Sequence, residues 1–232
     1  MSIRDAIKRI AKDVKEIMND PLHDNGIYYK HDDDDVLKGY AMIYGPENTP
    51  YEYGYYFFEF NFPKDYPFTP PTLIFGTNAD RIRMNPNLYR CGKVCISILN
   101  TWKGEQWSSC QSIKSILLSL LTIFNNKPLL NEPGIAESNV DFKKYNEIIE
   151  YKNIDIAIYK VLNTEVFNNY SNHFDKNILI EMFKNNYKII IKKVRDNKQS
   201  VKNISTEIYN MCVKIDYNTL HKDLKELYNN LK

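Results

Sequence analysis

Only four cysteines, Cys91, Cys95, Cys110 and Cys212, occur in 232 residues, too few and too irregularly spaced for the disulfide framework of a secreted mini-protein. Glycine (8) and proline (10) are sparse, which excludes collagen-like and proline-rich scaffolds, and 43% hydrophobic with 26% charged residues excludes global disorder. Neither sign of charge prevails: 31 Lys and Arg against 29 Asp and Glu give +2, too little for a whole-protein nucleic-acid footprint. The small excess sits late in the chain, where residues 150–232 carry 14 basic and 10 acidic side chains, leaving −2 for the part before them. No apolar run approaches the roughly 20 residues that span a bilayer. The opening MSIRDAIKRIAKDVKEIM is broken by charge throughout, unlike a secretory signal. A compact soluble protein of a reducing compartment is expected, in the cytosol with nuclear entry left open, with no membrane insertion and no specific nucleic-acid partner.

The chain has enough length for a substantial core, and its patterns alternate between two periods. Ile3, Ile7, Ile10, Val14 and Ile17 make one stripe of a helix, with Ser2 as N-cap and Asp5 as its box-like partner. Arg4, Lys8, Arg9, Lys12 and Lys15, with Asp5, Asp13 and Glu16 among them, make the wet face. His31 to Asp35 holds four consecutive aspartates whose mutual repulsion predicts a solvent-facing turn, and it lacks the alternation, glycine and final glutamate of a calcium loop. Val36–Tyr44, Tyr55–Phe62 and Thr72–Phe75 read as antiparallel strands separated by turn-rich segments. Ser108–Phe124 predicts a buried helix through Ile113, Ile116, Leu117, Leu120, Leu121 and Phe124. Helical periodicity returns in Asp141–Leu162, interrupted at Asn153, then in Asn177–Val194 and Tyr217–Leu231, the last with a leucine seam at 220, 224, 227 and 231. Two to four helices are expected to cover the end of the main domain.

Chemistry concentrates around Cys95, which follows the turn-rich NPNLYRCG and precedes a short apolar segment. By composition alone it is either a small buried hydrophobe or a reactive thiol able to hold an acyl group as a thioester. The four histidines, His23, His31, His173 and His221, all lie outside this loop, which disfavours a Cys-His hydrolase. A transferase between a thioester and an amine needs less: donors for the oxyanion and a carboxylate near the amine. Asn87, eight residues before Cys95, is a turn former or an oxyanion donor; Glu132 is an exposed loop residue or an amine-orienting base. Cys91-x-x-x-Cys95 lacks the further Cys or His residues of a zinc site, and a Cys91–Cys95 disulfide would occupy the sulfur the chemistry needs.

Read together and in order, Gly45-Pro46 with Thr49-Pro50-Tyr51, Phe62-Pro63 with Tyr66-Pro67-Phe68-x-Pro70-Pro71, Asn85-Pro86-Asn87, and Gly92-Lys93-Val94-Cys95 with Trp102 resemble the ubiquitin-conjugating enzyme (E2) family over roughly residues 4–150. The resemblance implies an α/β (α+β) fold: an N-terminal helix, a four-stranded antiparallel meander, a catalytic loop and C-terminal helices. It divides the chain into a catalytic core, 1–150, and a helical C-terminal extension, 151–232, packed on the core. Cys95 would take ubiquitin or a ubiquitin-like modifier as a thioester from an activating enzyme (E1) and pass it to a substrate lysine or a ligase cysteine. ATP and Mg²⁺ would belong to the activating enzyme, with no cofactor and no metal bound by this chain. The alternative is an E2-like binding module without catalysis.

The same resemblance distributes roles. Asn87 matches the last position of the family's His-Pro-Asn signature, whose first position is Asn85 here. Glu132 stands where many members carry aspartate before proline, and Ser97 occupies a gate position often acidic in the family. Lys8, Arg9, Lys12 and Lys15 match the activating-enzyme dock. Phe68 and the loop containing Ser108 and Ser109 match the contacts to RING-type or other ligases, with Ser109 in place of the usual proline. Lys103-Gly104-Glu105-Gln106 is an insertion relative to minimal members and, with Leu99-Asn100-Thr101-Trp102 and the long tail, is most similar to the larger Z-type subgroup.

Overall fold

The computed structural model describes residues 3–163, 166–198 and 201–231. The fold is mixed α+β: helix α1 (Ile3–Asn19), strands β1 (Ile27–His31), β2 (Lys38–Tyr44), β3 (Tyr55–Asn61) and β4 (Thr72–Phe75), then helices α2 (Ile113–Ile123), α3 (Phe142–Lys152) and α4 (Lys176–Asp196). A hairpin of β5 (Lys202–Thr206) and β6 (Met211–Ile215) precedes the final helix α5 (Tyr217–Asn230). The first four strands form one antiparallel sheet in sequence order, as the family resemblance implies.

In α1 the stripe buries Ile10 and Ile17 together with Ala6, while Ile3 remains exposed; the Ser2 cap lies outside the described residues. Asp13 departs from the sequence reading. Instead of facing water it is 2% exposed, because Tyr66 and the Arg9 guanidinium cover it. Tyr66 donates its hydroxyl to Oδ2 at 2.5 Å, and Arg9 Nε donates to Oδ1 at 2.8 Å. A buried carboxylate persists when it is paired and hydrogen-bonded in this way.

The aspartate run forms the expected turn between β1 and β2: Asp32 Oδ1 accepts the backbone N–H groups of Asp34 (2.9 Å) and Asp35 (2.7 Å). Lys30 neutralises part of its charge by pairing with Asp33 at 2.9 Å.

Both faces of the sheet are covered, which explains why β3 reads YYFFEFN instead of alternating. Register puts Ala41, Ile43, Tyr56, Phe58 and Phe60 on one face, where Phe124 at the end of α2 meets Tyr56 (4.7 Å between centroids) and Phe58. Tyr40, Met42, Tyr44, Tyr55 and Phe57 make the other face, and the late part of the chain lies across it. Tyr170 stacks on Phe57 at 4.5 Å and His173 on Tyr40 at 3.5 Å. Tyr55 donates to the Leu179 carbonyl at 2.8 Å, and Asn186 Nδ2 donates to the Tyr44 hydroxyl at 3.0 Å. Gly76 admits this layer: a Cβ there would lie 1.5 Å from the Tyr170 hydroxyl oxygen. Tyr170→Ala removes a buried ring from this seam and should destabilise the protein by about 3 kcal/mol, read as a lower urea midpoint; an unchanged midpoint would mean the layer contributes little to stability.

The Asn153 interruption becomes a widening of the helix. After α3 the chain runs on as a π-helical stretch, Asn153–Lys160, and the buried Asn153 turns its amide inward. Its Oδ1 accepts from Tyr56 at 2.6 Å, and its Nδ2 donates to the Glu52 carbonyl at 2.9 Å. The tail, read from sequence as helices only, also contains the β5–β6 hairpin, paired from Lys202↔Ile215 to Thr206↔Met211.

Candidate functional site

Cys95 and Asn87 are joined by two hydrogen bonds. The Cys95 N–H donates to the Asn87 carbonyl at 2.9 Å, and Asn87 Nδ2 donates to the Cys95 carbonyl at 2.7 Å. The asparagine side chain thus braces the backbone that carries the sulfur. Its Oδ1 is buried and unpartnered in the structure, a cost of about 1–3 kcal/mol for an ordinary buried acceptor. Thr101 holds the other side of the same loop. Its Oγ1 accepts from the Ile96 N–H (3.1 Å) and shares its hydroxyl proton between the carbonyls of Val94 and Ile96.

Asn85, the residue in the family's histidine position, is fully buried and engaged on all sides. Its Nδ2 donates to the Tyr51 hydroxyl (2.7 Å) and the Ile123 carbonyl (2.8 Å). Its Oδ1 accepts from the Asn87 N–H (3.0 Å) and from Asn131 Nδ2 (3.3 Å). Two donor hydrogens and one carbonyl oxygen are what an amide offers, so this asparagine takes over the bracing that the turn requires. Through Asn131 it also ties the Cys95 loop to the loop of Glu132, the next residue along.

Glu132 is half-buried and accepts the Tyr209 hydroxyl on Oε2 at 2.5 Å. Ser97 opens a short 3-10 turn, Ser97–Leu99, and lies under the four-residue insertion, where a Cβ on Gly104 would approach the Ser97 Cβ to 2.9 Å. The insertion's side-chain bonds are local: Gln106 Nε2 donates to the Trp102 and Gly104 carbonyls. The Cys95 side chain is only 2% exposed, so a chain end can reach the sulfur only when part of this surround moves.

The residues matched to partner surfaces separate into two groups. Lys8, Lys12 and Lys15 are exposed on α1. Arg9 instead works within the fold, donating to the carbonyls of Ser109 (2.6 Å) and Gln111 (2.5 Å) as well as to Asp13. Trp107 donates its indole N–H to the Pro67 carbonyl at 2.6 Å. That bond brings Phe68, 65% exposed, alongside exposed Ser108 and Ser109, so the two candidate ligase loops form one surface although 40 residues separate Trp107 from Pro67.

The histidines are occupied elsewhere: His23 stacks on Tyr28, His31 binds Tyr29 and Val36, His173 stacks on Tyr40, and His221 lies on α5. Among the described residues no group of three or more His, Cys, Asp or Glu is arranged to hold a metal, and no helix is long and apolar enough to cross a membrane.

Sequence reading missed Thr101, Arg83 and Tyr209. Arg83 is buried and clamps the Asn85–Asn87 turn by donating to the carbonyls of Asn85 (3.2 Å) and Pro86 (2.6 Å). Its guanidinium lies over Tyr89 at 3.4 Å and Tyr209 at 4.9 Å. Tyr209 arrives from 77 residues beyond Glu132, and no local pattern marks it.

A profile of the ubiquitin-conjugating enzyme family matches residues 9–154. The ubiquitin-conjugating enzyme E2 Z of Xenopus tropicalis is 40% identical over 159 residues, covering 67% of this chain and 50% of that protein. Its human counterpart is 42% identical over 153 residues, 65% of this chain and 43% of that one. The chain therefore spans about half the length of these curated relatives. A solved structure of human ubiquitin-conjugating enzyme E2 G1 is similar at 29% identity with a TM-score of 0.46, covering 53% of this chain and 97% of that chain.

Proposed function

The chain belongs to the ubiquitin-conjugating enzyme family and resembles its Z subgroup, and we propose that it is an active transferase with Cys95 as the acceptor of the modifier. In the first half-reaction the Cys95 thiolate attacks the thioester carbonyl carbon carried by an activating enzyme. A new S–C bond forms, and the activating enzyme's cysteine leaves as thiolate. In the second, a lysine nitrogen attacks the same carbon, the C–S bond breaks, Cys95 departs as thiolate, and the amine proton is lost toward Glu132 or water. When the acceptor is a ligase cysteine, sulfur replaces nitrogen and the bond formed is again a thioester.

The observation that carries this reading is the reciprocal pair of hydrogen bonds between Asn87 and Cys95, which fixes an amide beside the carbonyl-bearing loop of the nucleophile. Glu132 supplies the carboxylate, and Ser97 borders the acceptor's approach. Residues 1–150 act as the catalytic core and 151–232 as its extension. Exposed Lys8, Lys12 and Lys15 offer the activating enzyme a basic face, to which Arg9 contributes from its fixed position, while Phe68, Ser108 and Ser109 offer a ligase surface. ATP is consumed by the activating enzyme with Mg²⁺ as its cofactor, and the protein works in the cytoplasm or nucleus.

The 2% exposure of Cys95 favours a second reading, a binding module in the same pathway that never carries a modifier. Incubation with activating enzyme, ATP, Mg²⁺ and a panel of ubiquitin and ubiquitin-like proteins separates the two. The transferase gains the mass of one modifier less water, and a thiol reductant removes it; failure of every pairing to add that mass, with the thiol shown to be reduced, selects the module.

A further inference from the structure

The β5–β6 hairpin is built to deliver one side chain to Glu132. Its tip is Ile208–Asn210, and both Tyr209 (φ 64°) and Asn210 (φ 46°) occupy the left-handed region. For a bulky residue such as tyrosine that is a strained conformation, and it persists only where the surroundings enforce it.

The enforcement is visible. Asp141, 1% exposed, accepts the backbone N–H groups of Glu207 (2.8 Å) and Ile208 (2.9 Å) on Oδ2, gripping the tip from the start of α3. Arg90, five residues before Cys95, donates to the Tyr209 carbonyl. The phenol ring meets Tyr145 edge-on at 6.0 Å and the Arg83 guanidinium at 4.9 Å. With backbone and ring so held, the hydroxyl ends on Glu132 Oε2 at 2.5 Å. Burial, then the hydrogen bond to Glu132 and its charge, raise the phenol above its ordinary range, so it stays protonated and acts as donor.

Resting on the transferase reading above, we propose that Tyr209 is a positioning residue of the amine-transfer step: it fixes the Glu132 carboxylate by one oxygen and leaves the other to accept from the incoming lysine. The late part of the chain thereby completes the acceptor site of the core. A long glutamate, one methylene longer than the aspartate the family often carries there, loses more rotamer freedom when ordered, and a second hydrogen bond from a rigid ring supplies that order in advance of the acceptor.

The test separates the two half-reactions. Tyr209→Phe keeps the ring, the Arg83 contact and the backbone bond from Arg90, and removes only the hydroxyl. Charging should proceed at the wild-type rate within about twofold, while single-turnover discharge of the loaded protein to free lysine falls about tenfold, the loss of a hydrogen bond to a charged group. Discharge to hydroxylamine, an amine already unprotonated at neutral pH, should change little. In a Glu132→Ala background the Tyr209→Phe effect on lysine discharge should vanish, since the hydroxyl acts only through that carboxylate. Failure of the wild type to charge at all would refute the transferase reading itself. With a charging wild type, four results each overturn the role of Tyr209: lysine discharge at the wild-type rate, faster discharge, equal slowing toward lysine and hydroxylamine, or full additivity with Glu132→Ala.

Discussion

Cys95→Ala should abolish charging, with the thiol-sensitive adduct falling at least about a thousandfold below wild type, as when a nucleophile is removed from a site whose other parts stay in place. The remaining thiols cannot substitute. Cys91, Cys110 and Cys212 are exposed, and none of their backbones shares the Asn87 brace that holds the Cys95 loop by two hydrogen bonds. Their exposure also means that alkylating reagents label them ahead of Cys95, so the readout must be intact mass of the modifier adduct followed by reductant. Cys95→Ser gives a sharper result. The serine oxygen is a slower nucleophile, but an ester formed on it resists thiols because an alkoxide is a far poorer leaving group than a thiolate. A slowly formed adduct that survives reductant locates the acceptor at residue 95. A reductant-sensitive adduct on Cys95→Ala would move it to another cysteine.

Much of this frame was legible in the sequence for reasons that are local. Sequence pattern and structure agree on the bounds of strand β4, Thr72–Phe75, and differ by at most two residues for β2 and β3, because turn residues punctuate them on both sides. Strand β1 escapes the local reading although Gly26 and the aspartate turn bound it, because IYYKH is only five residues long and has no clear period. The β5–β6 hairpin is not evident from sequence although Met211–Ile215 alternates buried and exposed along its whole length. The helical periodicity on both sides of it outweighed a five-residue signal. Asp13 is buried against its place on the wet face because helical spacing gives a face but not what lies opposite it, here Tyr66. For the candidate site, local pattern leaves Cys95, Asn87 and Glu132 open between structural and chemical roles, and it is the family resemblance that points to them. Tyr209 and Asp141 join it through contacts 66 to 77 residues apart, which no window along the chain contains.

Asn85→Ala should lower stability by about 2–3 kcal/mol, because a buried amide with four partners is replaced by a methyl group that satisfies none of them. The losses are unequal. Tyr51 still donates to the Met84 carbonyl (2.8 Å) and Asn131 still donates to the Ile123 carbonyl (3.0 Å), so the group left without any partner is the Asn87 N–H. Restoring the family's histidine should not rescue the protein. Asn85 is fully buried, an imidazole is larger, and its two ring nitrogens cannot replace four hydrogen bonds, so Asn85→His is expected to be destabilised as well, by about 1–3 kcal/mol from overpacking. A urea midpoint equal to wild type for Asn85→Ala would contradict this account. The functional signature also differs from that of Tyr209→Phe. Asn85 bonds both to the Asn87 backbone beside the Cys95 loop and to Asn131 beside Glu132, so its loss should slow charging and discharge together, whereas removal of the tyrosine hydroxyl should affect discharge alone. Measured side by side on the same charged protein, the two variants distinguish the scaffold that supports both half-reactions from the device that serves only the amine.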